Sequence, residues 1–248
     1  SLVGSEMCIR DSLDAVRAMK NTPSFGMQRS WTGMLGYSGG SMVSLWAANL
    51  RAEYAPDVHF GAIAVGGTPT DLQYYGVRFG NRPNDAFGLA FASLVGLERE
   101  YPRSMRVTPR LSKHGKNKMR VLKDACSPRL LQSLKGESVN TIFSGVSLNP
   151  AQERSAFRVL RENSLYYDQR HPTRGTKLYV FGSRTDIGAP IRPLRATMRR
   201  YCATGSRIQY VEVNDPNHVS TAFYNIPAAA QWLFQMSNGG KMRNDCRR

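Results

Sequence analysis

Apolar positions along the first third of the chain alternate between short strand-like and longer helix-like segments. An apolar run at residues 31–36 precedes residues 41–54, whose apolar side chains recur along one helical face, and residues 58–65 are nearly continuously apolar. A continuous run of this length is typical of a parallel strand buried on both faces. Strand, helix and strand with short connections predict a βαβ unit with parallel strands and a right-handed crossover.

The same alternation of strand-like and helix-like segments returns near the end of the chain. Residues 176–182 and 207–213 have strand patterns, and the alternation in the second indicates an edge strand. Helical patterns follow each of these strands, at residues 194–202 and at 220–236. Both ends of the chain therefore predict parts of a single, mostly parallel sheet flanked by helices.

The middle of the chain breaks this pattern. Residues 71–174 contain mixed helical patterns, with predicted helices at 87–97 and 151–161, and no convincing strand ladder. We therefore expect an α/β core made of residues 13–70 and 175–248, with residues 71–174 inserted as a helical cap.

The composition excludes some classes of protein and leaves others open. The 248 residues, 41% of them apolar, are enough for one large α/β domain, and no apolar run is long enough to span a membrane. The net charge of +16 raises the question of nucleic acid, but no RNP sequence, zinc knuckle or KH loop is present, so we do not expect a nucleic-acid partner.

Much of the positive charge lies in the predicted cap. Ten lysines or arginines occur between Arg99 and Arg129, against the two acids Glu100 and Asp124. Such a run indicates a solvated face, and attraction to anionic lipid surfaces or fatty-acid carboxylates is the alternative.

The first twelve residues, including Cys8, resemble a translated sequencing adaptor and are interpreted as a non-native segment. On this interpretation the chain is truncated at its N-terminus. The strand at 31–36 would then be an unpaired hydrophobic edge, which predicts that residues 13–248 alone are insoluble or inactive. A monodisperse fragment that hydrolyses esters would contradict this expectation.

The candidate nucleophile lies between the first predicted strand and helix, in the sequence W-T-G-M-L-G-Y-S-G-G. Residues 36–40 match the G-x-S-x-G pattern of a nucleophile elbow, in which a tight strand-to-helix turn exposes the serine Oγ at the edge of a sheet. We expect the flanking positions to need residues almost without side chains. Ser38 is therefore the predicted nucleophile.

Two further candidates follow later strands. Asp186 comes after the strand at 176–182, and His218 comes after the strand at 207–213. In open α/β sheets catalytic groups lie beyond the carboxyl ends of the strands, so the order Ser, Asp, His predicts a triad. His218 would take the proton of Ser38, and Asp186 would orient the imidazole, with Asp215 as the rival acid.

The remaining histidines fit this role less well. His59 lies at the start of a predicted buried strand, His114 in the basic run and His171 before a proline. The four cysteines lack the spacing of a zinc site, so we predict no metal. The backbone N–H of Gly39 is the expected oxyanion donor, and the second donor would come from a loop upstream of residue 13.

Several short motifs together resemble the fungal secretory lipase family, of the Candida antarctica lipase A type. They are Gly36-Tyr37-Ser38-Gly39-Gly40, Trp46-Ala47, Glu53-Tyr54-Ala55-Pro56 and Gly66-Gly67-Thr68-Pro69. The resemblance covers most of residues 31–248 and is weakest through the cap. Matched residue by residue, the family's triad falls on Ser38, Asp186 and His218.

This resemblance implies the C-terminal part of an α/β-hydrolase fold and a secreted enzyme that cleaves carboxylic esters of lipids. It also implies a cap that forms a lid and an acyl-binding tunnel, transient contact with a lipid surface and no cofactor. Cys202 and Cys246 resemble the family's C-terminal disulfide pair, whose closure would stabilise the fold by roughly 4 kcal/mol. Cys126 resembles half of a second bridge whose partner would lie upstream. The alternative interpretation is that the three cysteines are unrelated thiols.

Two other functions remain open. A serine peptidase or an acyltransferase could use the same triad, because the triad specifies only acyl transfer. A non-catalytic binding protein could instead use the basic cap to bind an anionic surface, with a vestigial triad. Hydrolysis of peptides but not esters would favour the first, and salt-dependent binding without covalent labelling would favour the second.

Overall fold

A computed structural model describes residues 4–122, 132–215 and 217–247. They divide into two compact units, one of Asp71–Ser164 and one made mainly of Ser5–Thr70 and Leu165–Arg248. The unit Asp71–Ser164 falls within the predicted insertion at 71–174. Cys126 lies outside the described residues, so the second bridge stays a prediction.

The larger unit contains a four-stranded parallel sheet. Its strands follow one another in the order of the sequence, which is the order β1-β2-β3-β4. The strands are β1 (Gly33–Tyr37), β2 (Ala62–Gly66), β3 (Lys177–Ser183) and β4 (Arg207–Val213). The predicted parallel sheet and the edge position of β4 are confirmed.

The described part of the larger unit also contains four longer helices. They are α1 (Gly4–Asn21), α2 (Gly39–Tyr54), α9 (Ile191–Ala203) and α10 (His218–Ser237). Helix α2 packs against β1 and β2, and α10 packs against the three strands β1 to β3.

The two central strands, β2 and β3, are buried on both faces because their side chains alternate between two apolar layers. On one face Tyr179 and Phe181 pack against Trp232 and Met236 of α10. The intervening residues of β3 and β2 point to the other face and are also fully buried: Ile63, Val65, Leu178 and Val180. This double burial explains the continuous apolar runs in the sequence.

The smaller unit is helical. Its helices are α3 (Leu72–Gly80), α4 (Phe87–Glu100), α5 (Pro102–Met105), α6 (Lys113–Leu122), α7 (Val139–Ile142) and α8 (Arg154–Glu162). Among its described residues, pairing between extended segments is limited to two isolated bridges, Asn84 with Glu137 and Leu111 with Phe143.

The predicted start of the second strand was wrong. β2 begins at Ala62 rather than at residue 58, because it pairs with β1 only from Gly33 onward. The indole of Trp31 packs across Gly61 so closely that a Cβ there would lie 2.0 Å from its Nε1. His59 consequently lies in an exposed loop and not at the start of a buried strand.

Candidate active site

Ser38 occupies the turn between β1 and α2 in a rare backbone conformation. Its φ of 54° and ψ of −120° lie in a region that residues other than glycine seldom adopt. The Ser38 N–H donates to the Gly66 carbonyl at 2.9 Å, and the Ser38 carbonyl accepts from the N–H groups of Ser41 and Met42. Strand pairing and the first helical turn thus stabilise the strained conformation, as is common at functional sites.

The glycines of the elbow do not all have the same steric role. A Cβ on Gly36 would lie 2.5 Å from the Gly40 carbonyl oxygen and 2.7 Å from Ser44 Oγ, so this position needs glycine. A Cβ on Gly39 or Gly40 would meet nothing within 4 Å. The expectation that both flanks must lack side chains was therefore wrong for Gly39 and Gly40, because that flank faces open space.

His218 is the first residue of α10. Asn217 caps this helix, since its side-chain oxygen accepts from the N–H groups of Val219 and Ser220. The helix therefore begins two residues before the predicted start at 220. This cap fixes the position of the imidazole, whose Nε2 lies 2.8 Å from Ser38 Oγ.

Asp186 lies on the loop that follows β3, with a fully buried carboxylate. Its Oδ1 accepts from the backbone N–H groups of Gly188 at 2.7 Å and Ala189 at 3.2 Å. Its Oδ2 lies 2.6 Å from His218 Nδ1. A carboxylate on Nδ1 favours the tautomer with the proton there, which leaves Nε2 free to accept from Ser38 Oγ–H.

The rival acid Asp215 has other partners. Both of its carboxylate oxygens accept from Ser220 Oγ at 2.7 Å, and its Oδ1 accepts from the Asn217 N–H. The structure thus brings Asp186, and not Asp215, to the imidazole of His218.

Tyr37 is a residue of this site that sequence reasoning missed. Its hydroxyl donates to the backbone carbonyl of His218 at 2.5 Å and lies 3.4 Å from Nδ1, and the two rings are 4.9 Å apart. Burial, together with the charge of Asp186, raises the pKa of Tyr37 far above its usual value, so the phenol stays protonated. Position x of G-x-S-x-G accepts many residues, so the motif carried no signal for this contact.

The predicted oxyanion donor, Gly39, is the first residue of α2. The N–H of the first residue of a helix has no intrahelical acceptor, so the Gly39 N–H can donate to a ligand beside Ser38.

The other histidines have partners other than the triad residues. His59 Nδ1 lies 3.1 Å from the Asp57 carbonyl, His114 pairs with Glu137, and His171 Nδ1 lies 3.0 Å from the Pro172 carbonyl. Within the described part of the chain, no cluster of three or more His, Cys, Asp or Glu side chains could hold a metal ion.

Cys202 and Cys246 form the disulfide that the resemblance implied, with their Cα atoms 5.3 Å apart. It joins the end of α9 to the C-terminal segment. This segment lies beside β4, where Asn244 and Asp245 side chains accept from the N–H groups of Ile208 and Tyr210.

A strained serine on a strand-to-helix turn, with an aspartate and a histidine beyond later parallel strands, defines the α/β-hydrolase class. The family model described as secretory lipase matches residues 3–244. The chain therefore belongs to the secretory lipase family.

Curated relatives agree with this assignment. The chain is 28% identical to secreted triacylglycerol lipase LIP7 of Malassezia globosa, over 94% of this chain and 50% of that protein. It is 25% identical to lipase 1 of Candida albicans, over 96% of this chain and 52% of that protein. The chain thus spans about half the length of the curated relatives it matches.

Solved structures share the fold. The closed state of Candida antarctica lipase A matches with a TM-score of 0.81 at 20% identity, over 98% of this chain and 57% of that one. A rice cell wall degrading esterase, LipA of Xanthomonas oryzae, matches with a TM-score of 0.61 at 14% identity, over 86% of this chain and 60% of that one. These likenesses support the α/β-hydrolase fold.

Proposed function

We propose that this chain carries the nucleophile, acid and base of a serine hydrolase that cleaves carboxylic esters of lipids. The observation that carries the proposal is the continuous hydrogen-bonded chain from Asp186 through His218 to Ser38 Oγ, with distances of 2.6 and 2.8 Å. These distances lie within the range needed for proton transfer between a nucleophile and its base.

In the first half of the reaction, Ser38 Oγ attacks the ester carbonyl carbon while His218 Nε2 takes the Oγ proton. The Gly39 N–H donates to the oxyanion of the tetrahedral intermediate, and Asp186 stabilises the imidazolium. Collapse of the intermediate breaks the bond to the alcohol, which leaves with the proton from Nε2. The acyl group remains as an ester on Ser38.

In the second half, water replaces the alcohol. His218 Nε2 takes a proton from the water as its oxygen attacks the acyl carbon, and then returns that proton to Ser38 Oγ. The products are the free carboxylic acid and the regenerated serine. No cofactor takes part in this scheme.

A lipid substrate and secretion are proposed from the relatives. The curated relative of Malassezia globosa is named a secreted triacylglycerol lipase. The Cys202–Cys246 disulfide supports export, because disulfides persist mainly in oxidising compartments. Within the described residues no helix combines the length and apolar character needed to cross a membrane. We expect contact with a lipid surface to be transient.

The inserted residues 71–174 are proposed to act as a cap that forms a lid and an acyl-binding tunnel. The proposal is supported by the separate compact unit of Asp71–Ser164, whose residues lie in the sequence between β2 and β3. The excess of basic residues in this segment would favour departure of fatty-acid carboxylates toward its surface.

The function is tested with the full-length protein on matched substrates. Hydrolysis of a triacylglycerol emulsion and of a soluble short-chain ester is expected, and both activities should disappear in Ser38→Ala. Peptide hydrolysis without ester hydrolysis would identify the peptidase alternative. Acyl transfer to an added alcohol in preference to water would identify the acyltransferase.

A further inference from the structure

A half-open cavity lies at the opposite end of the sheet from Ser38. This cavity of about 270 Å³ is lined by Lys177, Arg207, Gly240, Lys241 and Met242. Lys177 and Arg207 are the first residues of β3 and β4, whereas the triad lies beyond the carboxyl ends of the strands. The cavity is therefore separate from the proposed active site.

The cavity concentrates positive charge without compensation. Three of its five lining residues are cations and none is acidic. In the described part of the chain, none of the three cations forms an ion pair with a carboxylate. By contrast, Arg195 near the other end of β4 pairs with Glu212 at 2.6 Å, and Arg243 pairs with Asp245.

Two of these cations are held side by side. Lys177 and Arg207 are register partners in the parallel pair of β3 and β4. Like charges at neighbouring positions of a sheet destabilise it unless a counterion lies between them. The strand register thus places two cations at neighbouring positions, where a bound anion would stabilise them.

The third cation is held by the C-terminal segment. The side chains of Asn244 and Asp245 accept from backbone N–H groups of β4, and Cys246 is bonded to Cys202, so the segment bearing Lys241 is anchored at several points. Met242 packs against the core cluster of α10 and the sheet and gives the cavity an apolar wall. The backbone positions that carry the three cations are therefore fixed around a space with one apolar side.

We propose that this cavity binds the phosphoryl group of a small phosphomonoester or of a phospholipid head group. A guanidinium and two ammonium groups match a multi-oxygen dianion better than a single carboxylate, since arginine can donate two parallel hydrogen bonds and lysine adds point charges. The apolar wall at Met242 accommodates the organic part of the ester. This site is independent of the proposed hydrolysis at Ser38.

The first test is calorimetric titration of the full-length protein with glycerol 3-phosphate in a low-salt chloride buffer, with glycerol as the uncharged comparison. We expect saturable binding of glycerol 3-phosphate that weakens as NaCl is added, and no binding of glycerol. The double variant Arg207→Gln/Lys241→Gln should raise the Kd at least about tenfold. Arg199→Gln removes one positive charge from an exposed position of α9, as each single cavity variant removes one, and should change the Kd less than about twofold.

A second measurement distinguishes the source of the phosphoryl group. Co-sedimentation is measured with phosphatidylcholine vesicles, with and without phosphatidic acid. Binding that needs phosphatidic acid and is lost in the double variant supports a lipid head group, whereas binding of glycerol 3-phosphate alone supports a soluble phosphomonoester. If the double variant melts well below the wild type, the single variants Arg207→Gln and Lys241→Gln replace it, each with about a threefold expected rise in Kd.

Two results would overturn the proposal. One is the absence of saturable binding to both glycerol 3-phosphate and vesicles containing phosphatidic acid. The other is binding that Arg199→Gln weakens as much as the cavity variants do, because that result would indicate attraction to net charge alone. Labelling of Ser38 serves as an independent check, since it should be the same in wild type and cavity variants.

Discussion

At the scale of single residues, the backbone at Ser38 and the contacts of His218 decide what the site can do. Ser38 adopts a positive φ that strand pairing and the start of α2 stabilise, so its Oγ has a fixed direction. His218 is held in place by two contacts. Asn217 caps the helix that begins at His218, and the Tyr37 hydroxyl donates to the backbone carbonyl of His218. Tyr37 is thus a positioning residue for the base.

Removal of the Tyr37 hydroxyl tests this positioning. We expect Tyr37→Phe to lower kcat about fivefold with little change in KM, because one hydrogen bond of about 1 kcal/mol orients the proposed base. Tyr179→Phe is the matched control, since Tyr179 lies in the same core cluster and its ring contacts Trp232 rather than the imidazole. Equal losses in the two variants would contradict a specific role for Tyr37.

The elbow glycines provide a second test at this scale. Gly36→Ala is expected to destabilise the fold by about 1–3 kcal/mol, because its Cβ would lie 2.5 Å from the Gly40 carbonyl oxygen. Gly40→Ala should change stability by no more than about 1 kcal/mol, and in the favourable direction, because alanine favours helix and the space is open. Urea unfolding of both variants measures the difference. Similar losses in both would show that steric crowding does not distinguish the two positions.

At the scale of elements, charged side chains fix the loop that carries Asp186. The Glu212 carboxylate of β4 accepts hydrogen bonds from Arg195 at 2.6 Å and from Arg184 at 2.8 Å. Arg184 lies two residues before Asp186 in the sequence. The Arg195 guanidinium, followed by Arg184, lowers the pKa of Glu212 to about 2 against the opposing effect of burial. These pairs tie β4 and α9 to the end of β3.

The lowered pKa of Glu212 predicts how the stability of the fold depends on pH. A carboxylate with a lowered pKa in the folded state stabilises the fold above its usual pKa of 4.5, and this contribution is lost as the pH falls toward about 2. Glu212→Gln should therefore be less stable than wild type at pH 7, and the difference should shrink between about pH 4.5 and 2. Thermal unfolding at several pH values measures it, and a difference independent of pH would contradict the ion-pair explanation.

The sequence predicted the elements of the sheet better than their ends and their contacts. The predicted strands at 176–182 and 207–213 nearly match β3 and β4, because a buried strand leaves a continuous apolar run and an edge strand leaves an alternating one. The start of β2 was missed because it depends on Trp31 packing over Gly61, which is a tertiary contact. The start of α10 was missed because the Asn217 cap was not recognised.

In the candidate site, too, the sequence predicted some residues and missed others. Ser38, His218 and Asp186 could be identified from their order and their places after strands. Tyr37 could not be identified from the sequence, since its hydroxyl donates to the backbone carbonyl of a residue 181 positions away. Distances of this kind depend on how β1 and α10 pack, and local patterns do not encode them.

At the scale of the whole molecule, the disulfide fixes the C-terminal segment beside β4. Cys202 and Cys246 are separated by 44 positions, and the segment between them includes β4 and α10. Cross-linking a loop of this size restricts the unfolded chain and stabilises the fold by roughly 4 kcal/mol in the chain-entropy model.

The double variant Cys202→Ser/Cys246→Ser should accordingly lose about 2–4 kcal/mol of unfolding free energy. Hydrogen exchange at Ile208 and Tyr210 should also become faster, because their N–H groups bond to the segment that the disulfide anchors. Unchanged stability, with unchanged exchange at these amides, would show that the hydrogen bonds alone hold this segment.

The central claim is that Ser38 is an activated nucleophile whose base is His218. The most direct measurement is fluorophosphonate labelling of the full-length protein, followed by peptide mapping of the adduct. We expect modification of Ser38 in the wild type and its loss in His218→Ala, with circular dichroism showing that the variant stays folded. A folded wild type that remains unlabelled, or a label that persists at Ser38 without His218, would contradict this account.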